Sequence, residues 1–131
     1  MKNSAECRNI LIVEDYAESA ETFKDLLEIL GHQAKYVTSG VKALELIGQE
    51  KFDLVFMDIN LPDMSGIDLL ENLKNNQAEA IANTKFAAVS GYSVRDAQGL
   101  KATTLFDFYL EKPVDLASLD KILESLTSVE C

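Results

Sequence analysis

Leu54-Val55-Phe56-Met57-Asp58 decides the reading of this chain: four apolar residues stop abruptly at a carboxylate. A short, wholly apolar run is the pattern of a strand buried on both faces, as in a parallel sheet covered by helices. Asp58 is then delivered to the edge of that sheet. Other segments place polar chemistry in the same way. Glu14 and Asp15 follow Ile10-Leu11-Ile12-Val13, Ser90 follows Phe86-Ala87-Ala88-Val89, and Lys112 comes just after Tyr109-Leu110. In an open parallel α/β sheet the carboxyl ends of the strands line one crevice, and ligands bind there. Three acids, one hydroxyl and one lysine should therefore converge, a set suited to a divalent metal and a phosphoryl group.

Working outward, strand-like runs alternate with helix-period segments, which predicts a doubly wound α/β sheet. Ala17 to Leu30 carries Ala20, Phe23, Leu27 and Leu30 on one stripe, and Gly31 is placed to cap it. Gln33–Val37 reads as a weaker strand. Thr38-Ser39-Gly40 opens a helix to about Gly48, with Val41, Leu44 and Ile47 expected on its buried face. After Leu54–Met57 and the loop Pro62-Asp63-Met64-Ser65-Gly66, a helix from Ile67 to about Asn75 should bury Ile67, Leu70 and Leu73. Lys85–Val89 and Phe108–Glu111 are the remaining strands. Between them, Ser93 to about Thr103 is a thinly apolar helix interrupted by Gly99. Asp115 is placed to N-cap a last helix whose Leu116, Leu119, Leu123 and Leu126 form a buried face. Five strands and five helices result, in one domain of 1–131 with a core of about 8–126.

The chain has 131 residues, enough to bury roughly two thirds of the surface its unfolded form exposes. No apolar run approaches the ~20 residues of a membrane span, and the first residues lack a signal-peptide core. A cytoplasmic address is expected. Cys7 and Cys131 have no metal-ligand spacing and read as free thiols. A formal charge of −10 argues against a nucleic-acid surface, which needs clustered Lys and Arg. His32, alone in a turn, reads as solvated.

Each candidate also has a bland reading. Glu14-Asp15 could be a helix cap, Asp58 a solvated loop acid, and Lys112 a surface lysine. Their common position at strand ends favours the site. Three clustered carboxylates repel unless a cation neutralises them, and all-oxygen ligands suit Mg²⁺. Beside it, the Asp58 carboxylate could attack phosphorus, with Lys112 and Ser90 holding phosphoryl oxygens.

Glu14-Asp15, Asp58, Leu61-Pro62-Asp63-Met64-Ser65-Gly66, Ser90-Gly91 and Tyr109-Leu110-Glu111-Lys112-Pro113 together resemble the receiver domain of two-component response regulators. The likeness runs from about Arg8 to Leu126, with the motifs in the family's order. It implies a flavodoxin-like five-stranded parallel sheet of order 2-1-3-4-5. It also implies Mg²⁺-dependent transfer of a phosphoryl group from a phosphohistidine to Asp58. By resemblance, Asp15, Asp58 and the Asn60 carbonyl bind Mg²⁺, Glu14 acts mainly through water, and Lys112 and Ser90 contact the phosphoryl group. Ser90 and Tyr109 form the switch. A histidine kinase or histidine phosphotransfer protein would be the donor. A downstream protein would dock near the Ser93–Thr103 helix, the fifth strand and the last helix.

Some positions depart from the family's commonest pattern. Ser90 replaces Thr, and Thr104-Leu105-Phe106 stands where many receivers have a Gly-containing turn. Two other readings compete with this one. A haloacid-dehalogenase-like phosphatase would need an Asp where Asn60 stands, and an acidic motif after the Lys. A degenerate receiver acting as an interaction module would not need the acids, Ser90 and Lys112. The expected class is a signalling switch rather than an enzyme, either free-standing or the receiver of a hybrid histidine kinase.

Overall fold

The apolar runs become five parallel strands: β1 (Asn9–Val13), β2 (Gln33–Val37), β3 (Leu54–Asp58), β4 (Lys85–Ser90) and β5 (Phe108–Glu111). The computed structural model describes residues 9–91, 105–112 and 114–127. Four helices lie among them: α1 (Ala17–Ile29), α2 (Gly40–Gln49), α3 (Gly66–Asn76) and α4 (Leu116–Thr127). The helix expected over Ser93–Thr103 falls outside the described residues, as do Cys7, Tyr92, Thr104, Pro113, Cys131 and the Leu126 side chain. No helix among the described residues is long and apolar enough to cross a membrane.

The strands lie in the order β2-β1-β3-β4-β5, so β3 is central and all five of its residues are buried. Successive side chains on a strand point to opposite faces, and the sequence fills both. Leu11, Val13, Val55, Met57, Phe86 and Ala88 meet α2 and α3 through Ala43, Ile47, Ile67, Leu70 and Leu73. Ile10, Ile12, Leu54, Phe56, Ala87 and Val89 meet α1 and α4 through Phe23, Leu27, Leu119, Ile122 and Leu123. Phe23 and Phe56 stack at 4.8 Å between centroids with their rings tilted by 51°, a favoured aromatic arrangement. Full burial of each such side chain contributes roughly 1.5–3 kcal/mol relative to exposure.

The helix starts follow local chemistry. Ser39 Oγ accepts the Lys42 amide, Ser65 Oγ the Asp68 amide, and Asp115 Oδ1 the Ser118 amide. These are N-caps satisfying donors that have no partner within the helix. At the end of α1, Gly31 adopts φ 94°. Its amide bonds to the Glu28 carbonyl and that of His32 to the Leu27 carbonyl, the paired pattern of a Schellman C-cap.

That cap corrects one expectation. His32 is buried rather than solvated, because the residue after the left-handed glycine is turned back onto the helix end. Two apolar stripes are also corrected. Val41 and Leu116 are 51% and 40% exposed, although the helical spacing places them with Ile47 and with Leu119. The buried face of α2 is formed by Gly40, Ala43 and Ile47, and Val41 lies a step of about 100° round the helix from Gly40, so it turns away from that face. Leu116 is the first residue of α4.

Candidate functional site

The register brings the site residues level with one another. Val13 pairs with Met57 across β1 and β3, Asp58 with Val89 across β3 and β4, and Ser90 with Glu111 across β4 and β5. Glu14, Asp58, Ser90 and Lys112 therefore all emerge at the carboxyl edge. Strand parity then sorts them. Asp58 continues the side of Leu54 and Phe56, Glu14 that of Ile10 and Ile12, and Lys112 that of Leu110, all facing α1 and α4. Ser90 continues the side of Phe86 and Ala88, where Tyr109 also packs half-buried.

Glu14 and Asp58 are buried, at 4% and 5% exposure, whereas Asp15 is exposed. Oxygens of the three carboxylates lie within 4.8 Å of one another. The Lys112 ammonium enters this group, 3.0 Å from Asp58 Oδ2 and 3.1 Å from Glu14 Oε1. Its backbone N–H bonds to the Ser90 carbonyl at 2.8 Å, which seats the lysine at the end of β4. Ser90 itself is buried, at 1% exposure.

Burial pushes the Glu14 carboxyl above its usual range; the Lys112 bond opposes this and the nearby Asp58 charge adds to it. Burial pulls the Lys112 ammonium down, but its bonds to Asp58 and then Glu14 outweigh that and raise it. Both shifts follow from charges taken out of water and pressed together. Three carboxylates against one ammonium leave an excess of negative charge, and every donor is oxygen. That donor set fits a hard divalent cation such as Mg²⁺.

The loop after Asp58 is tightly held. The Asn60 N–H donates to Asp58 Oδ1 at 2.9 Å, and Asn60 and Ser65 form a short antiparallel bridge. Gly66 N–H donates to the Ile59 carbonyl at 2.7 Å. A Cβ on Gly66 would lie 2.5 Å from the Asp58 carbonyl oxygen, so only glycine fits there. Asp63 reaches across to α2, its two oxygens accepting the Gly40 and Val41 amides at 3.0 and 3.1 Å. The sequence reading missed this last contact. An Asp after Pro62 reads as a turn residue, and nothing local shows which helix end it meets.

A cavity of about 570 Å³ opens beside Glu14 and Lys112, with Tyr16 and Ser19 at its wall and Phe23, Val89 and Val114 among its apolar lining. Tyr16 is 59% exposed. Its N–H donates to Glu14 and its hydroxyl to Glu18.

Glu14, Asp15, Asp58, Ser90 and Lys112 thus lie at one edge of a flavodoxin-like sheet, the place where such folds bind ligands, whereas Tyr109 lies within β5, paired with Ala88. Residues 10–124 match the response regulator receiver domain family, and the chain belongs to it. The polar-differentiation response regulator DivK of Brucella ovis is 28% identical over 121 residues, covering 92% of this chain and 94% of DivK. A CheY-like receiver domain from Methylobacillus flagellatus is 50% identical, with a TM-score of 0.82 over 92% of this chain and 98% of its own. A Burkholderia pseudomallei response regulator, solved with a phosphorylated aspartic acid, calcium ion and citrate, is 27% identical with a TM-score of 0.78. That likeness covers 92% of this chain and 69% of the other. The protein is accordingly a receiver-domain signalling switch of the two-component type. Such domains bind Mg²⁺ in an acidic pocket and interact with histidine kinases or phosphotransfer proteins.

Proposed function

We propose that Asp58 is the phosphoacceptor, taking a phosphoryl group from a phosphohistidine donor in a reaction that requires Mg²⁺. One observation carries this reading: Lys112 bridges Asp58 and Glu14 inside a cluster of three carboxylates at the sheet's carboxyl edge. The solved Burkholderia relative with a phosphorylated aspartic acid and a calcium ion supports it.

Glu14, Asp15 and Asp58, with the Asn60 backbone carbonyl, would hold the ion. Bound Mg²⁺ supplies positive charge that offsets the acids and the phosphoryl oxygens. The chain's own residues do the rest. An Asp58 carboxylate oxygen forms the new P–O bond while the donor's P–N bond breaks, and the electron pair returns to the imidazole nitrogen. Asn60 N–H fixes the carboxylate's orientation, which lowers the entropic barrier to attack. The Lys112 ammonium sits within hydrogen-bond reach of Asp58, where it can hold a phosphoryl oxygen. Ser90 would hold another oxygen, and its movement would free space for Tyr109 to turn inward. A changed surface around β5 and α4 would then meet a downstream protein. The unit acting in this way is the receiver domain of about 8–126, working in the cytoplasm.

The test is intact mass after incubation with acetyl phosphate, with and without Mg²⁺, on the wild type and Asp58→Asn. A gain of about 80 Da, one HPO₃, that needs both Mg²⁺ and Asp58 is the expected result. No gain in the wild type, even from a phosphorylated relay protein, overturns the phosphoacceptor reading and leaves an interaction module.

A further inference from the structure

We propose that Asp63 is a positioning residue for Asp58, clamping the loop that orients the acceptor carboxylate onto the start of α2. The inference rests on the reading of Asp58 as phosphoacceptor and adds a structural control over it. The two Asp63 oxygens take the Gly40 and Val41 amides, one each, at 3.0 and 3.1 Å. Ser39 Oγ takes the Lys42 amide. The first donors of α2 are thus divided between its own N-cap and a residue 23 positions away. A helix N-terminus favours a negative charge, so this end of α2 is an anchor for the loop.

Contact reinforces the hydrogen bonds. A Cβ on Gly40 would lie 2.7 Å from Met64 Cγ and 2.9 Å from its sulfur. The Met64 side chain therefore rests directly on the start of α2, and a side chain at position 40 would displace it. At its other end the same loop closes through the Asn60–Ser65 bridge and the Gly66–Ile59 bond. Asn60, one half of that bridge, places its N–H 2.9 Å from Asp58 Oδ1. Asp63 stands five residues after Asp58, and the loop joining them runs from the central strand to its contact with α2. Releasing Asp63 lets the loop shift, and a displaced Asn60 amide leaves Asp58 without its orienting donor. Small displacements of a nucleophile lower rates steeply.

The experiment compares the wild type with Asp63→Ala, Asp63→Asn and Ser39→Ala. Two readouts are taken: phosphate uptake from acetyl phosphate at saturating Mg²⁺, and amide hydrogen exchange resolved by residue. Ser39→Ala also removes a cap from α2 but leaves the loop bonds intact. Asp63→Ala should lower the maximal uptake rate roughly tenfold. The half-saturating acetyl phosphate concentration should stay unchanged, because the clamp does not touch the donor. Exchange should quicken at Gly40 and Val41 and also at Asn60 and Gly66. Asp63→Asn keeps one acceptor oxygen and should fall between; it also decides the matter if the alanine variant does not fold. Ser39→Ala should quicken exchange near Lys42 only and leave uptake unchanged. The proposal is overturned if Asp63→Ala quickens exchange at Gly40 and Val41 alone with wild-type uptake. It is equally overturned if Ser39→Ala slows uptake as much. Should the wild type take up no phosphate, the phosphoacceptor reading falls, and exchange at Asn60 and Gly66 still decides the role of Asp63.

Discussion

Asp15 is the exposed member of the acid cluster, beside a buried Glu14 and a buried Asp58 that already share the Lys112 ammonium. In divalent-free buffer its charge adds repulsion to the two buried carboxylates that share the Lys112 ammonium. Asp15→Asn should therefore raise the thermal midpoint by about 3 °C without Mg²⁺. Mg²⁺ should then raise the wild-type midpoint more than the variant's, since a ligand stabilises only the fold that binds it. Thermal melts across a Mg²⁺ series check both parts; an unchanged apo midpoint with equal Mg²⁺ shifts would contradict them. At this scale much was legible. Asp58, Glu14 and Lys112 were marked by polar residues stopping apolar runs, a signal that needs no knowledge of contacts. Asp63 was not, because its partners lie 22 and 23 positions away. The closeness of Gly66 to the Asp58 carbonyl was hidden in the same way. His32 was misread because solitary polar residues in turns are usually wet, whereas here the C-cap geometry folds the position inward.

α2, α3 and α4 are held at their starts by side chains, and the cap of α4 is a titratable group. Asp115 accepts the Ser118 N–H at 2.8 Å. That bond, followed by the Ser118 hydroxyl, keeps the Asp115 carboxyl below its usual range. A carboxyl whose folded pKa is depressed stabilises the fold above its unfolded pKa, and the contribution is lost as pH falls through the folded value. Asp115→Ala should thus lower the thermal midpoint at neutral pH, and the gap from wild type should narrow below pH ~4, the ordinary aspartate range. Midpoints measured from pH 7 to pH 3 test this, and a gap constant across the range would contradict it. Periodicity located the elements well: β2 and β5 begin and end where the sequence places them. It located their faces less well. Val41 and Leu116 satisfy the spacing of a buried stripe yet stand open to solvent. In α2 the i, i+3 spacing of Val41, Leu44 and Ile47 competes with that of Gly40, Ala43 and Ile47, and the structure buries the second set.

At the scale of the molecule, the alternation of strands and helices identifies a doubly wound sheet but leaves the strand order open. The order β2-β1-β3-β4-β5 came from the family resemblance, and the structure carries it. That order makes β3 central, with β1 and β4 on either side, so an acid at the end of β3 meets the ends of both. Strand parity turns this neighbourhood into a site by facing Glu14, Asp58 and Lys112 the same way, towards α1 and α4. Tyr109 packs towards the opposite face, and under the proposed function a change at the acids would be read out across the sheet. The central claim is that this convergence makes one particular carboxylate the phosphoacceptor among the 22 acidic residues of the chain. Borohydride reduction of the phosphorylated protein tests it most directly, because it converts an aspartyl phosphate to homoserine at the modified position alone. Peptide mass mapping should find homoserine at position 58 and nowhere else, and only in samples that contained Mg²⁺. Homoserine at Asp15 or any other aspartate, with position 58 unchanged, would contradict the account.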